Sequence, residues 1–297
     1  PQVAVLAVDS NQLLNGWYNT PVQVTFTGSD ALSGLAGFAQ QTTDATWVDS
    51  PAGTTLATTG NHALTWRAVD NAGNVSAAQQ TTVQVDVTPP TTTATLDAVA
   101  VNGWYTRSVT VTLTAIDVGA GVFQTQYHLN GEAGWRSYSG PFPVSGVGAQ
   151  TVVYQSIDRA LNTEISHTLT LPIDLAPPLL TASVSPTQTS HSWYRQAVSV
   201  TLHAQDAQAG LDYVEYALDG VGWQPYTTPL TVRPGAAHTV QFRALDRAGH
   251  AVSTDLLTVG VDGQPPTTTL LLSQAPNAAG WLNQPVTLFL VATDTET

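Results

Sequence analysis

A repeat of 88 residues constrains this sequence more than any other feature. The segments VDVTPP, IDLAPP and VDGQPP end at Pro90, Pro178 and Pro266, so an aliphatic residue, an aspartate and a Pro-Pro step return every 88 residues. A period of this length is the size of one small domain, because a solenoid unit has only about 20–50 residues. The sequence therefore predicts a tandem array of small domains.

A second motif repeats with nearly the same period and precedes an alternating apolar run. GWY or a close variant occupies residues 16–18, 103–105, 192–194 and 280–282. The apolar runs that follow are Val22, Val24 and Phe26; Val109, Val111 and Leu113; Val198, Val200 and Leu202; and Val286, Leu288 and Leu290. Alternation of this kind predicts a strand with one buried face, and the intervening Thr and Ser residues suit a solvated opposite face.

Repeat two shows a complete predicted unit of short strands separated by turn signals. The predicted strands are 91–96, 109–116, 122–131, two edge segments within 135–146, 149–158 and 164–174. This pattern, without helical periodicity, is typical of an antiparallel β-sandwich. We therefore expect an all-β fold of tandem Ig-like sandwiches.

The Pro-Pro steps set the expected domain boundaries. The predicted domains are residues 1–87, 88–175 and 176–263, and residues 264–297 supply the first strands of an incomplete fourth repeat. Because proline fixes φ and keeps the preceding residue extended, each joint should be short and semi-rigid. The expected arrangement is an elongated rod.

The predicted fourth repeat would have two strands only. Two strands cannot bury Val286, Leu288 and Leu290 by themselves. We therefore expect either a longer parent chain or self-association, in which a second copy covers this face by strand addition.

Composition excludes several functions. The formal charge is −13 and all eight basic residues are arginine, so a nucleic-acid partner is not expected. No apolar run reaches the roughly 20 residues of a membrane helix, and the absence of cysteine excludes disulfides. The seven histidines form no H-E-x-x-H pattern, and neither G-x-S-x-G nor a P-loop occurs, so no enzyme is expected.

Three segments resemble the bacterial Ig-like repeats of long secreted and surface-anchored proteins. They are DNAGNVS followed by VQVDVTPP (70–90), YALDG followed by Trp and Tyr (216–226), and HTVQFRALDRAGH (238–250). The resemblance implies an extracellular or cell-surface, non-catalytic stalk, fibre or adhesin segment, with a surface glycan or a protein as possible receptor. The alternative is an accessory module, carbohydrate-binding or spacer, of a secreted multidomain enzyme.

Four aromatic residues on predicted edge segments are candidates for a ligand face. They are Trp135, Tyr138, Trp223 and Tyr226. Packing into the sandwich is the competing interpretation, and it also applies to the tryptophan of the GWY motif.

The aspartate before each Pro-Pro step leads to a metal-site hypothesis. In an Ig sandwich the chain enters at the end that carries the B–C and F–G loops, so three carboxylates should converge at each joint. The predicted sets are Asp86, Asp117 and Asp158; Asp174, Asp206 and Asp246; and Asp262 with Asp294. Oxygen ligands of this kind suit Ca²⁺, and the resemblance implies that such repeats stiffen their joints with it. The competing interpretation is that each aspartate only caps its own turn.

Overall fold

The computed structural model describes residues 1–8, 15–187, 193–235 and 237–294, with no side-chain description for residues 3–8. These residues form strands, turns and irregular segments, and no helix occurs among them. The predicted fold class, all-β with antiparallel sandwiches, is therefore confirmed. Over the same residues, no helix is long and apolar enough to span a membrane.

The first repeat is a sandwich of a three-stranded and a five-stranded sheet. Its strands are β1 (Gln2–Val8), β2 (Trp17–Tyr18), β3 (Val22–Ser29), β4 (Leu35–Gln41), β5 (Trp47–Ser50), β6 (Gly53–Leu56), β7 (Gly60–Asp70) and β8 (Gln79–Val85). The sheet orders are β1-β3-β6 and β2-β8-β7-β4-β5. Phe26, Phe38 and Trp66 pack together between the sheets.

The second repeat has the seven strands that its sequence predicts. They are β9 (Thr91–Leu96), β10 (Val109–Ile116), β11 (Val122–Leu129), β12 (Arg136–Ser137), β13 (Phe142–Val144), β14 (Gly148–Asp158) and β15 (His167–Ile173). The sheet orders are β13-β10-β9 and β12-β11-β14-β15.

The third repeat follows the same plan with two additional short strands. Its strands are β16 (Leu179–Ser185), β17 (Trp193–Tyr194), β18 (Val198–Gln205), β19 (Leu211–Leu218), β20 (Val221–Pro225), β21 (Leu230–Val232), β22 (Ala237–Asp246), β23 (Ala251–Ser253) and β24 (Leu257–Val261). One sheet is β16-β18-β21; the other is β17-β24-β22-β19-β20, with β23 paired to β22.

The predicted alternating runs form the cores of the three sandwiches. Each of the nine residues predicted to face inward is at most 6% exposed. They are Val22, Val24 and Phe26; Val109, Val111 and Leu113; and Val198, Val200 and Leu202. The period-two pattern therefore identified the buried face correctly.

The last two strands form a hairpin whose apolar residues remain exposed. β25 (Thr267–Leu272) pairs with β26 (Leu288–Thr293). Leu288 and Leu290 are 60% and 75% exposed, in contrast to their buried counterparts in the other repeats. Val286, the third residue of the predicted run, is half-buried, and cover of this face by a longer chain or by a second copy remains a prediction.

Contacts divide the chain into two compact units. One consists of Pro1–Val99 with Ser108–Pro172, and the other of Ala100–Arg107 with Ile173–Thr297. Residues 100–107 belong to the second unit because Tyr105 forms a parallel bridge with Ile173. The domain boundaries of the repeats and their rod-like arrangement remain predictions.

Candidate metal centres beside the linkers

Each linker aspartate is fixed by a backbone hydrogen bond to the GWY motif of its own repeat. The motif pairs in parallel with the last strand, β2 with β8 and β17 with β24, and the next residue along is the linker aspartate. Its N–H donates to the tyrosine carbonyl. The pairs are Asp86 with Tyr18 (2.8 Å), Asp174 with Tyr105 (2.9 Å) and Asp262 with Tyr194 (2.8 Å). The two repeated motifs of the sequence therefore meet at one place in the fold.

Three carboxylates converge beside the first linker, and we call them the first cluster: Asp86, Asp117 and Asp158. Asp86 follows β8, Asp117 follows β10 and Asp158 ends β14. One oxygen from each lies within 4.8 Å of the others. Asp86 and Asp158 are fully buried. The convergence predicted from the topology is therefore present in the structure.

The loop aspartates of the first cluster also cap their own turns. Asp117 Oδ2 accepts from the N–H groups of Gly119 (3.1 Å) and Gly121 (2.7 Å). Asp158 Oδ1 accepts from the N–H of Asn162 (2.8 Å), and its Oδ2 accepts from Nδ2 of the same residue (2.7 Å). Capping and convergence coexist, so the capping account alone does not explain the arrangement.

The linker carboxylate is held from both sides. Asp86 Oδ1 accepts from Thr59 Oγ1 (3.2 Å) and from the N–H (3.1 Å) and Oγ1 (2.9 Å) of Thr88. Its Oδ2 accepts from the N–H of Ala120 in the opposite loop (2.6 Å). Asn162 Nδ2 donates to the backbone carbonyl of Asp86 (2.8 Å). Both loops of the second repeat therefore bind the linker.

One carboxylate oxygen of the first cluster has no protein partner. Asp117 Oδ1 is inaccessible to solvent and accepts no hydrogen bond among the described residues. An unpaired charged oxygen in such a position is costly unless a water molecule or a cation satisfies it, and beside two further carboxylates a cation also offsets the repulsion. The residues present therefore fit a metal ion, and their all-oxygen donor set suits Ca²⁺.

The pKa values reflect the crowding of negative charge. Burial raises the pKa of Asp158, and the charges of Asp86 and Asp117 raise it further, whereas the bonds from Asn162 act in the opposite direction. Burial also acts to raise the pKa of Asp86, but hydrogen bonds from Ala120 and neighbouring groups outweigh it and lower the pKa below its ordinary value. A bound cation would relieve the repulsion that Asp158 experiences.

Gly119 allows the linker carboxylate to approach its loop. A Cβ atom at this position would lie 2.2 Å from Asp86 Oδ2, which no real contact permits. The equivalent residue in the third repeat is Gln208, two positions after Asp206 as Gly119 is after Asp117. Asp174 nevertheless accepts from the N–H of Ala209 (3.1 Å), as Asp86 accepts from Ala120 (2.6 Å), so the linker aspartate makes the same loop contact in both repeats.

A different set of residues meets beside the second linker, and we call it the second cluster: Asp174, Asp246 and His250. One oxygen of each aspartate and one ring nitrogen lie within 4.8 Å of one another. Asp174 is fully buried, Asp246 is 1% exposed, and the His250 side chain is 22% exposed. The structure places the predicted ligand Asp206 outside this group, where its Oδ1 caps Gln208 and Gly210.

The second cluster is bonded mainly to its own loops. Asp174 accepts from the N–H groups of Ala176 and Ala209, both at 3.1 Å. Asp246 Oδ1 accepts from the N–H of His250 (2.9 Å), and Asp246 Oδ2 lies 3.0 Å from His250 Nδ1. Histidine thus takes the capping position that Asn162 has in the second repeat.

The remaining predicted ligands, Asp262 and Asp294, both line a cleft of about 580 Å³. Asp262 Oδ1 accepts from the N–H of Gln264 (2.9 Å).

The tyrosines of the predicted ligand face are used by the fold. The hydroxyl groups of Tyr138 and Tyr226 accept from the N–H groups of Leu113 (3.1 Å) and Leu202 (2.9 Å). Tyr226 also packs edge-on against the core residue Phe242. The competing interpretation, packing into the sandwich, accounts for these two residues.

The two tryptophans lie nearer to solvent. Trp135 is 42% exposed and contacts His128 edge-on, with ring centroids 4.9 Å apart. Trp223 is half-buried beneath the guanidinium of Arg243, which lies 4.3 Å from the ring centroid and pairs with Glu215.

Two residues of the clusters were not predicted as site residues. Asn162 bonds the linker carbonyl, and His250 brings a nitrogen ligand. The signal was available in the repeated turn, because Asn74, Asn162 and His250 occupy its equivalent fifth position.

Comparisons with known proteins give distant fold matches only. No family model and no curated protein matches the chain. The fibronectin(III)-like modules of Clostridium thermocellum CbhA are 15% identical, with 57% of this chain and 94% of that chain covered and a TM-score of 0.28. The FN1–FN3 domains of chicken CNTN1 are 12% identical (88% and 99% covered, TM-score 0.26).

A third solved structure comes from a 1.5-MDa bacterial ice-binding adhesin that is described in connection with host cell surface retention. It is 16% identical, with 89% of this chain and 99% of that chain covered and a TM-score of 0.31. At these identities and scores, none of the three likenesses bears on what this chain does.

Proposed function

We propose that this chain is a non-catalytic structural segment of a bacterial extracellular or cell-surface protein, such as a stalk, fibre or adhesin. Its role is to carry sandwich domains on short linkers that Ca²⁺ stiffens. The observation that carries the proposal is the first cluster, where three carboxylates converge on a linker and one buried oxygen is unpaired.

The site favours Ca²⁺ for chemical reasons. Asp86, Asp117 and Asp158 would hold the ion through hard oxygen donors, which Ca²⁺ prefers. The ion would neutralise charges that otherwise repel one another, and it would connect the linker to both loops of the second repeat. A linker held in this way has fewer accessible conformations, which is what a load-bearing or spacing segment requires.

The test is Ca²⁺ binding to the full chain and to Asp117→Asn. Asparagine can still accept the bonds from Gly119 and Gly121 through its carbonyl oxygen, and it places an amide group where Oδ1 is unpaired. We expect Ca²⁺ to raise the melting temperature of the parent chain and to have a much smaller effect on the variant. In chelator the variant should melt above the parent chain, because one of three repelling charges is gone.

Asp206→Asn is the matched control. Asp206 makes the same two loop bonds as Asp117 but lies outside both clusters. Its variant should keep the full Ca²⁺ response of the first cluster. Absence of Ca²⁺ binding by calorimetry, or an unchanged Ca²⁺ response in Asp117→Asn, would contradict the proposal.

The alternative, an accessory carbohydrate-binding module, is favoured by one observation. Trp135 presents 42% of its surface to solvent, and exposed indole rings are platforms on which sugars stack. Retention of the chain by an insoluble polysaccharide, lost in Trp135→Ala, would favour this function over the stalk.

A further inference from the structure

We propose that the second cluster, Asp174, Asp246 and His250, binds a divalent transition metal, with Zn²⁺ as the best fit. This inference relies on the proposed use of these loops as metal sites, but it concerns a different ion at a different place. It starts from the difference in donor atoms: three oxygens in the first cluster, and two oxygens with one imidazole nitrogen in the second.

Burial makes the second cluster more than a group of surface acids. Asp174 and Asp246 are 0% and 1% exposed. Their carboxylate oxygens accept hydrogen bonds from neutral backbone N–H groups and contact the His250 ring. Two carboxylates without an arginine or lysine partner in the described structure are costly at such depth. A divalent cation would compensate both charges.

The histidine distinguishes this cluster from a group of carboxylates alone. Residues Asn74 and Asn162 occupy the equivalent turn position and cap the preceding aspartate through Nδ2. Asn162 also donates to the linker carbonyl, but His250 has no such bond among the described residues. The imidazole is instead directed to the carboxylates, and its Nδ1 lies 3.0 Å from Asp246 Oδ2.

This arrangement suits Zn²⁺ rather than Ca²⁺. Imidazole is a common ligand of Zn²⁺, Ni²⁺ and Cu²⁺, whereas Ca²⁺ takes six to eight oxygens. Bonds of about 2.0–2.1 Å in tetrahedral geometry place neighbouring ligand atoms roughly 3.3 Å apart, close to the separation of Asp246 and His250. Two aspartates, one histidine and a water molecule complete a four-coordinate site.

The experiment measures Zn²⁺ binding by calorimetry with Ca²⁺ held in excess, and uses Co²⁺ as a spectroscopic probe. We expect one Zn²⁺ per chain at this site and Co²⁺ absorption bands in the visible region. His250→Asn should lower the Zn²⁺ affinity by about 100-fold or more and remove these bands, because the only nitrogen ligand is lost. The variant should fold, since asparagine is the natural residue at positions 74 and 162.

Two controls make the result specific. His203→Asn removes an exposed histidine and should leave Zn²⁺ binding unchanged. Asp117→Asn should abolish the Ca²⁺ response of the first cluster and also leave Zn²⁺ binding unchanged. Zn²⁺ affinity that His250→Asn does not alter, or Ca²⁺ binding at the second cluster in preference to Zn²⁺, would overturn the inference. Loss of Ca²⁺ binding with Zn²⁺ binding intact would overturn only the proposed function.

Discussion

Repeats two and three share seven strands, but different side chains occupy the same end of the sandwich in each. In repeat two, Glu164 is buried and accepts from the N–H groups of Thr92 (2.9 Å) and Ser156 (2.6 Å) and from Thr92 Oγ1. Thr125 Oγ1 completes the network through Ser156 (2.8 Å). In repeat three the equivalent positions are Leu180, Val214, Ala244 and Val252.

The comparison extends to the two metal centres. The Asp86 carboxylate lies against Gly119, whereas Gln208 occupies the corresponding position in repeat three, and Asp206 lies outside the second cluster. The fold therefore places polar groups beside each linker, and individual residues determine which of these groups lie within contact distance of one another. Two substitutions and one pH series test this conclusion, and they follow in order from the largest expected effect to the smallest.

Glu164→Val should strongly destabilise the second repeat. It introduces the residue of repeat three but leaves two N–H groups and the Thr92 hydroxyl buried without their acceptor, at a cost of roughly 3 kcal/mol in the free energy of unfolding. Denaturant unfolding measures the effect. The combined variant with Thr92→Leu, Thr125→Val and Ser156→Ala should recover part of the loss, because the hydroxyl groups are removed together with their acceptor while the two backbone N–H groups stay. Equal stability of the single and combined variants would contradict the reading.

Gly119→Gln should remove the close approach that distinguishes the first cluster. The new side chain would displace the Asp86 carboxylate, so we expect the Ca²⁺ affinity to fall at least tenfold, or about 1.4 kcal/mol. Calorimetry with Ca²⁺ provides the measurement. Val118→Ala, at a neighbouring position that is 94% exposed, is the control and should bind Ca²⁺ as the parent chain does. Full affinity in the glutamine variant would show that the glycine is not required.

The smallest effect is the pH dependence of the first cluster. The raised pKa of Asp158 means that the folded chain binds this proton more tightly than the unfolded chain. Its contribution to stability is therefore complete below the ordinary value of 3.8 and is lost as pH rises through the raised value. The pKa of Asp86 is lowered, so its contribution to stability is present above the ordinary value and is lost as pH falls through the lowered value.

Ca²⁺ should cancel this loss, since it binds the ionised carboxylates. We expect the difference in unfolding free energy between Ca²⁺ and chelator to increase as pH rises above about 4. Unfolding curves measured from acidic to neutral pH, in Ca²⁺ and in chelator, test this expectation. Parallel curves would mean that the three carboxylates do not share an ion.

The sequence predicted the strands well because alternation and turn residues are local signals. β9 and β10 begin and end at the predicted residues, and the convergence of Asp86, Asp117 and Asp158 followed from the topology of the sandwich.

Side-chain choices that depend on three-dimensional neighbours were missed. Nothing local to Asp206 indicates that it lies outside the second cluster, or that His250 takes a place in that cluster. Glu164 follows a turn and lies in a polar stretch that predicts exposure, whereas it is buried against Thr92 from a distant strand. The hydroxyl of Tyr138 likewise bonds a strand that lies 25 residues away in sequence.

The parallel pairing between the GWY motif and the last strand has a mechanical consequence. In the first repeat β1 precedes β2, the linker follows directly after β8, and β2 and β8 run in the same direction. Tension that reaches β2 through β1 and β8 through the linker acts along β2 and β8 and loads their hydrogen bonds in shear. Hydrogen bonds loaded in shear break together and not one by one. We therefore expect this two-residue pairing to resist extension more strongly than its small contribution to thermodynamic stability would suggest.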